Sequence, residues 1–386
     1  MKLSPERILT THVGSLPRSQ ELVDLLFAKD AGEPYDAAAF DACVTGSVDE
    51  IVKRQVELGI DVVSDGEMSK IGYSTYLKDR LSGFGGEGGR RVPRDLEEYP
   101  EYSQQLIEMR GVPVGLKRPL CEGPIAVRDD QPLRTDLANL QAAVDRHRPG
   151  EAAFMNAASP GVVAVFMRND YYPSHDAYLE ALAEVMRLEY EAIVEAGFLL
   201  QIDAPDMAMG RHMLWPDESD ASFRKIAARQ IEVLNHATAA IAPERMRMHI
   251  CWGNYQGPHH CDIPFAEIAE VVLKARPAGL LVEGANPRHE HEWEVFNEAK
   301  VPDDKVIIPG VIDSTSNFIE HPRLVAQRIR RYADIVGRER VIAGADCGFS
   351  TFAGFPQVHP KIAWAKFGSL VEGARIASAE LWSRAA

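Results

Sequence analysis

Eight times along this chain a short apolar run rich in β-branched residues gives way to a longer stretch patterned like a helix. The runs are ILTTHVGS (8–15), GIDVVSDGE (59–67), GVVAVF (161–166), FLLQIDAP (198–205), RMHICWG (247–253), GLLVEG (279–284), KVIIPGVID (305–313) and RVIAGADCG (340–348). Between them lie segments such as AYLEALAEVMRLEYEAIVEAG, whose apolar residues recur at helical spacing and end at Gly197. ASFRKIAARQIEVLNHATAAI and HPRLVAQRIRRYADIVG have the same character. Eight strand–helix units in succession predict a (β/α)₈ barrel, here a single domain over 1–386. An open doubly wound sheet is the rival fold, but no glycine-rich phosphate loop follows any strand.

One stretch breaks the rhythm. Residues 83–158 open with GFGGEGGRRVPRDLEEYPEY, rich in glycine and charge, and contain a ninth apolar run, PLCEGPIAV (119–127). This reads as an insertion after the second strand, an ordered hairpin with a mobile lid.

Charge narrows the partners. The chain has 42 basic and 57 acidic residues, a net −15, so nucleic acid and anionic membrane are not expected ligands. An anionic substrate needs a local basic pocket instead. No run approaches 18 apolar residues and the N-terminus lacks a signal-peptide core, so a cytoplasmic location is expected. The five cysteines are odd in number and scattered, which argues for reduced thiols over a disulfide framework. Self-association is compatible with all of this.

In a barrel, the C-terminal strand ends converge on one mouth. The residues predicted there are His12–Ser15, Asp65–Glu67, Asp203, His249, Cys251, Glu283, Asp313–Ser316, Asp346 and Cys347. His249 and Cys251, at i and i+2, lie on one side of an extended strand end and suit a single ion. Cys347 adds a second thiolate and Glu283 a carboxylate, a good zinc set. Any one of them alone reads as well as packing or ion pairing; together, at three strand ends, they favour metal. Zinc bound by such ligands would hold an incoming thiol as thiolate, since a free thiol with pKa near 8.5 is mostly protonated at neutral pH. His259, His260 and Cys261 sit in a loop and read as supporting residues, and Cys43 and Cys121 as structural.

The motifs TTHVGSLPR (10–18), DGE (65–67), LLQID (199–203), HIC (249–251), VEG (282–284), GVID (310–313) and GADCG (344–348) are collinear with one family. Over nearly its full length the chain resembles the catalytic domain of cobalamin-independent methionine synthase. The closer resemblance is to a short branch that includes epoxyalkane:coenzyme M transferase. That resemblance implies zinc on His249, Cys251, Glu283 and Cys347. It also implies that Val13, Gly14 and Ser15 hold the carboxylate of an amino-acid thiol, while Glu67 and Asp203 hold its ammonium.

Three departures from the family pattern bear on the donor. The second, N-terminal half of the large enzymes is absent. Thr315, within Ser314-Thr315-Ser316, stands where the family has a histidine proton donor. QIDAP replaces QIDEP, with Ala204 for glutamate, and Met209 falls where a folate-contacting glutamate is expected. Phe166 lies near the family's pterin-stacking tryptophan, and His12 is the remaining candidate acid.

Two activities follow from the resemblance: methyl transfer to homocysteine, or alkylation of a coenzyme M-like thiol by an epoxide or similar electrophile. A sulfonate thiol would draw on Arg18, Lys70, Arg211 or His212. A barrel that only senses or stores a thiol is a third reading. It is disfavoured because reactive ligands line the rim.

Overall fold

In the computed structural model, residues 3–89, 91–110, 118–148, 150 and 152–383 are described. Their strands are β1 (Leu9–Thr10), β2 (Val63–Ser64), β3 (Phe84–Gly85), β4 (Leu120–Cys121), β5 (Ala153–Ala158), β6 (Leu199–Asp203), β7 (Met246–His249), β8 (Gly279–Val282), β9 (Val306–Ile312) and β10 (Ile342–Ala345). Eight of them form one parallel sheet in the order β1-β10-β9-β8-β7-β6-β5-β2. Its two edges meet where the N–H groups of Asp61 and Val62 donate to the Thr10 carbonyl and Thr11 Oγ1 donates to Val62 O. Each strand neighbours the one before it in the chain, as expected when every crossover carries its helix outside. The fold is therefore the expected α/β barrel.

The helices follow their sequence signals. Ala37–Leu58 begins at Asp36, whose carboxylate accepts from Ala38 and Ala39 N–H, and ends at Gly59 with φ 89°. His175–Glu195 begins at Ser174 and buries Tyr178, Leu179, Leu182, Ala183, Met186, Tyr190 and Ile193, a stripe of i+3/i+4 neighbours turned inward.

Inside the barrel, Leu9, Val13, Leu281, Val306, Ile308 and Ile342 pack in one cluster. Phe154 packs with Val62 and Leu199 in another. The fully buried Arg247 lies 3.9 Å from the Phe154 ring centre. It donates to Gln201 Oε1 at 2.7 Å, to Thr11 Oγ1 at 2.8 Å and to the His12 carbonyl. Burial lowers its pKa to about 9, against the pull of Asp203.

The third strand is not the one expected. GVVAVF lies in a helix, Pro160–Phe166, because Ser159 Oγ accepts from Val162 N–H and Pro160 takes the first turn, where it needs no donor. The strand itself is Ala153–Ala158, AFMNAA, which lies inside the stretch read as an insertion. Gln131–His147, also within that stretch, is an outer helix of the barrel. Thr45 Oγ1 donates to Asn139 Oδ1 and Asp49 accepts from Arg146 and His147, docking it on Ala37–Leu58. What departs from the repeat is shorter: the two-residue antiparallel β3–β4 pair and, between its strands, the helices Arg94–Glu97 and Pro100–Arg110. Among the described residues no helix is long and apolar enough to cross a membrane.

Candidate active site

His249 ends β7, Cys251 follows it, and Cys347 lies two residues past β10. One donor atom from each of the three lies within 4.8 Å of the others, and the two sulfurs are 3.7 Å apart. His249 Nδ1 faces Asp203 Oδ1 at 3.4 Å, and its Nε2 sits 3.2 Å from the Asp346 carbonyl. Glu283, just past β8, is buried beside them but outside this trio. Its Oε1 accepts from Trp252 N–H at 3.0 Å and its Oε2 from Asn286 Nδ2 at 2.7 Å. Asp346 shapes the turn after Glu283 by accepting from the N–H groups of Gly284, Ala285 and Asn286.

The electrostatics of this set suit a divalent cation. The Cys347 contact and burial push the Cys251 thiol well up. Burial and the neighbouring Cys251 do the same to Glu283. Burial opposes the His249 cation, yet the Asp203 hydrogen bond and Cys251 raise its pKa. Two soft sulfur donors, an imidazole and a nearby carboxylate, all short of positive charge, match zinc chemistry. Glu283 joins as a ligand only by giving up one of its present hydrogen bonds.

A cavity of about 420 Å³ opens above the trio, and Val13, Ser15, Glu67, Asp203 and Phe166 reach it. Glu67 is strained into the left-handed region, φ 57°, and its Oε2 is buried without a partner. Burial, with Asp203 and Asp65 nearby, raises its pKa to about 7 despite Lys70 and Arg18. Asp203 is fixed by Asn156 Nδ2 at 2.8 Å and Gln201 Nε2 at 3.0 Å. Both amides also donate to the Val13 carbonyl, which orients the 13–15 turn. Gly14, at φ 144°, leaves no room for a side chain: a Cβ there would lie 2.2 Å from Asn156 Oδ1.

Other candidates do not reach the cavity. His12 is 1 % exposed, bonded to Gln55 Oε1 at 2.7 Å and wedged against Phe154 and Phe367, and burial lowers its pKa to about 3. A neutral, enclosed imidazole is no proton donor to this site, so the expectation for His12 is corrected. Thr315 Oγ1 donates to Asp313 Oδ1 in a local turn and lies outside the cavity wall, so it is no substrate contact here either.

The four cations proposed for a sulfonate are committed elsewhere. Arg18 donates to the carbonyls of Ser350, Glu67 and Lys70, and Lys70 to the Asn156 carbonyl. Arg211 bonds Trp215 O, Pro216 O and Asp220, and His212 faces Asp262 at 3.2 Å.

The sequence reading missed Asn156, Tyr73, Tyr255 and, within the 83–158 stretch, Arg91, Asp95 and Arg118. For Asn156 the QID motif was a usable signal, since an amide on the adjacent strand can pair with it. Asp95 ties the Arg94–Glu97 helix to the loop after β7: it accepts from Tyr255 OH at 2.7 Å and from His259 N–H at 2.8 Å. Asp262 then binds His259 and His289, each at 2.9 Å, and His289 stacks on Trp252 with ring centres 4.1 Å apart. The 259–262 loop thus packs beside Trp252, next to the Glu283 end of the cluster. His260 and Cys261 also cluster with Glu98 at the surface.

Residues 160–365 match the family described as cobalamin-independent synthase, catalytic domain. The chain belongs to that family. A methionine synthase of Thermococcus kodakarensis is 23% identical over 388 residues, covering 96% of this chain and 94% of the relative. One from Saccharolobus solfataricus is 24% identical, covering 96% and 95%. Among solved structures, a B12-independent methionine synthase from Shewanella sp. W3-18-1, in complex with selenomethionine, aligns with a TM-score of 0.75 at 18% identity, covering 98% of this chain and 99% of that one. The shared architecture of this cobalamin-independent synthase fold therefore spans the whole chain.

Proposed function

We propose that this enzyme transfers a methyl group to the sulfur of homocysteine, with zinc held by His249, Cys251, Cys347 and Glu283. The observation that carries the reading is the convergence, in one cavity, of the His249–Cys251–Cys347 trio with the ammonium-seeking pair Glu67 and Asp203. When bound, zinc supplies the positive charge that favours the ionised form of the substrate thiol.

The chain's own groups orient the amino acid. Glu67 Oε2, lacking a partner, and Asp203 face the α-ammonium. Gly14 and Ser15 N–H groups, which have no partner among the described residues, face the carboxylate. Asn156 and Gln201 hold both halves of this pocket in register. The thiol gives up its proton, the sulfur forms the S–CH₃ bond, and the donor leaves with the bonding pair. That the Shewanella relative was solved with selenomethionine supports an amino-acid product of this size.

A second reading, addition of a thiol to an epoxide, is favoured by one observation. Away from Glu67 and Asp203 the cavity is walled by Leu96, Leu106, Ile107, Phe166, Met209, Met213, Phe352 and Phe355, with no acid among the described residues there to anchor a pterin.

The test is metal content together with product analysis. About one zinc per chain is expected, falling to near zero in Cys251→Ala and Cys347→Ala. Homocysteine should be methylated and 2-mercaptoethanesulfonate should not. Full zinc retention in both variants, or preference for the sulfonate thiol, overturns the reading.

A further inference from the structure

Away from the cavity trio, one other group of three metal donors comes together among the described residues. Glu98, His260 and Cys261 each place a donor atom within 4.8 Å of the other two. Glu98 closes the Arg94–Glu97 helix, whereas His260 and Cys261 lie in the loop after β7, with Glu98 and His260 162 residues apart in sequence. His260 Nε2 is 2.8 Å from Glu98 Oε2, and Cys261 Sγ is 3.8 Å from Glu98 Oε1.

These spacings suit an ion. Zinc bonds of about 2.0–2.3 Å at tetrahedral angles hold neighbouring donors about 3.3–3.8 Å apart. The sulfur and the carboxylate already stand at that separation. The shorter imidazole–carboxylate contact is a hydrogen bond whose proton zinc replaces, with a small parting of the two groups.

The donors are also held in place. His259, in the left-handed region at φ 54°, is fixed by Asp95 and Asp262, and the two residues after it turn toward Glu98. Tyr99 packs edge-on to the His260 ring, with centres 5.6 Å apart. Burial and the Glu98 carboxylate push the Cys261 thiol up, so a thiolate there is short of positive charge. Arg94 Nε lies 3.6 Å from Glu98 Oε1, but both side chains are exposed and such surface pairs yield readily.

We propose that Glu98, His260 and Cys261 form a second zinc site, completed by water, that staples the 94–110 segment to the loop after β7. Both segments line the cavity, one through Leu96, Leu106 and Ile107 and the other through Asn254 and Tyr255. They are joined by the Asp95 contacts and by Tyr102 OH donating to the Gln256 carbonyl at 3.0 Å. Zinc adds a further link and fixes this side of the cavity wall. Three protein donors at the surface bind zinc less tightly than a buried set of four, so the site fills only after the cavity set.

The experiment titrates zinc, against a chromophoric chelator, into protein first dialysed to constant metal content. About one further zinc per chain is expected in the wild type, in Cys251→Ala and in Cys347→Ala, and its loss in Cys261→Ser and His260→Ala. Limited proteolysis within 91–110 reads the staple. Where cleavage requires the staple to open, free zinc at about ten times its Kd slows cutting about tenfold in the wild type and leaves Cys261→Ser unchanged.

No further zinc in the wild type, or its retention in both Cys261→Ser and His260→Ala, overturns the site. Equal cleavage with and without zinc overturns the staple. Absence of zinc from the dialysed wild type overturns the proposed cavity metal instead, and the titration still decides the surface site.

Discussion

Gly14→Ala tests the amino-acid pocket where its geometry is tightest. The added methyl would sit 2.2, 2.4 and 2.5 Å from Asn156 Oδ1, Nδ2 and Cγ, and φ is 144°, a value that L side chains rarely adopt. Asn156 has to move, and with it go its two 2.8 Å bonds to Val13 O and Asp203 Oδ2. Backbone strain of about 1–3 kcal/mol adds to about 0.5–1.5 kcal/mol for each hydrogen bond. The expected loss is therefore about 2–6 kcal/mol, a fall of several degrees in melting temperature.

Asp203 also loses a partner that fixes its orientation, so the KM for homocysteine should rise more than kcat falls. Thermal unfolding of Gly14→Ala, Asn156→Ala and the double variant separates the two contributions. With the Asn156 side chain removed the clash is gone, and Gly14→Ala should cost only the φ strain. If the substitution costs under about 0.5 kcal/mol, or costs the same in both backgrounds, the close approach of Gly14 and Asn156 is not what shapes this pocket.

Two further outcomes are expected. The raised pKa of Glu67, about 7 against an ordinary 4.5, means the folded protein holds this proton more tightly than the unfolded chain. Its contribution to stability is present below pH 4.5 and lost as pH rises through 7. An ammonium needs the ionised carboxylate, so homocysteine affinity should rise between about pH 6 and 8 in the wild type and lose that rise in Glu67→Gln. The second concerns the lid. Asp95→Ala removes the acceptor for Tyr255 OH and His259 N–H. Bonds to a charged group contribute about 1.5–3 kcal/mol each, so limited proteolysis within 91–110 should accelerate by tenfold or more, and an unchanged cleavage rate would discount the latch.

The residue order by itself determined the barrel and brought out most of the candidate ligand cluster. Alternation of short apolar runs with amphipathic helices is a local signal repeated eight times, and a (β/α)₈ closure is the arrangement that buries every such unit. His249, Cys251 and Cys347 were legible because strand ends of a barrel face one mouth whatever the details of packing. β5 was not legible: Phe-Met-Asn among alanines carries no β-branched signal, and neighbouring strands on both sides impose its conformation. The adjacent Ser159-Pro160 start signal was readable and was outweighed by the apolar run that followed it.

Which polar residues reach the cavity was a tertiary decision. His12 lies two residues past β1, as close to a strand end as the His249 that ends β7, yet it is enclosed against Phe154 and Phe367 while His249 opens into the cavity. Arg18 and Lys70 are near the mouth in sequence but are consumed by carbonyls across the fold, and Arg211 by Trp215, Pro216 and Asp220 in its own segment, while His212 is buried beside Asp262. Arg91 and Arg118 lie 27 residues apart in an irregular stretch, and the fold, with β3 paired antiparallel to β4, brings them to one cavity wall. Charge in a sequence has no direction, and a site needs direction, which the packing of distant segments supplies.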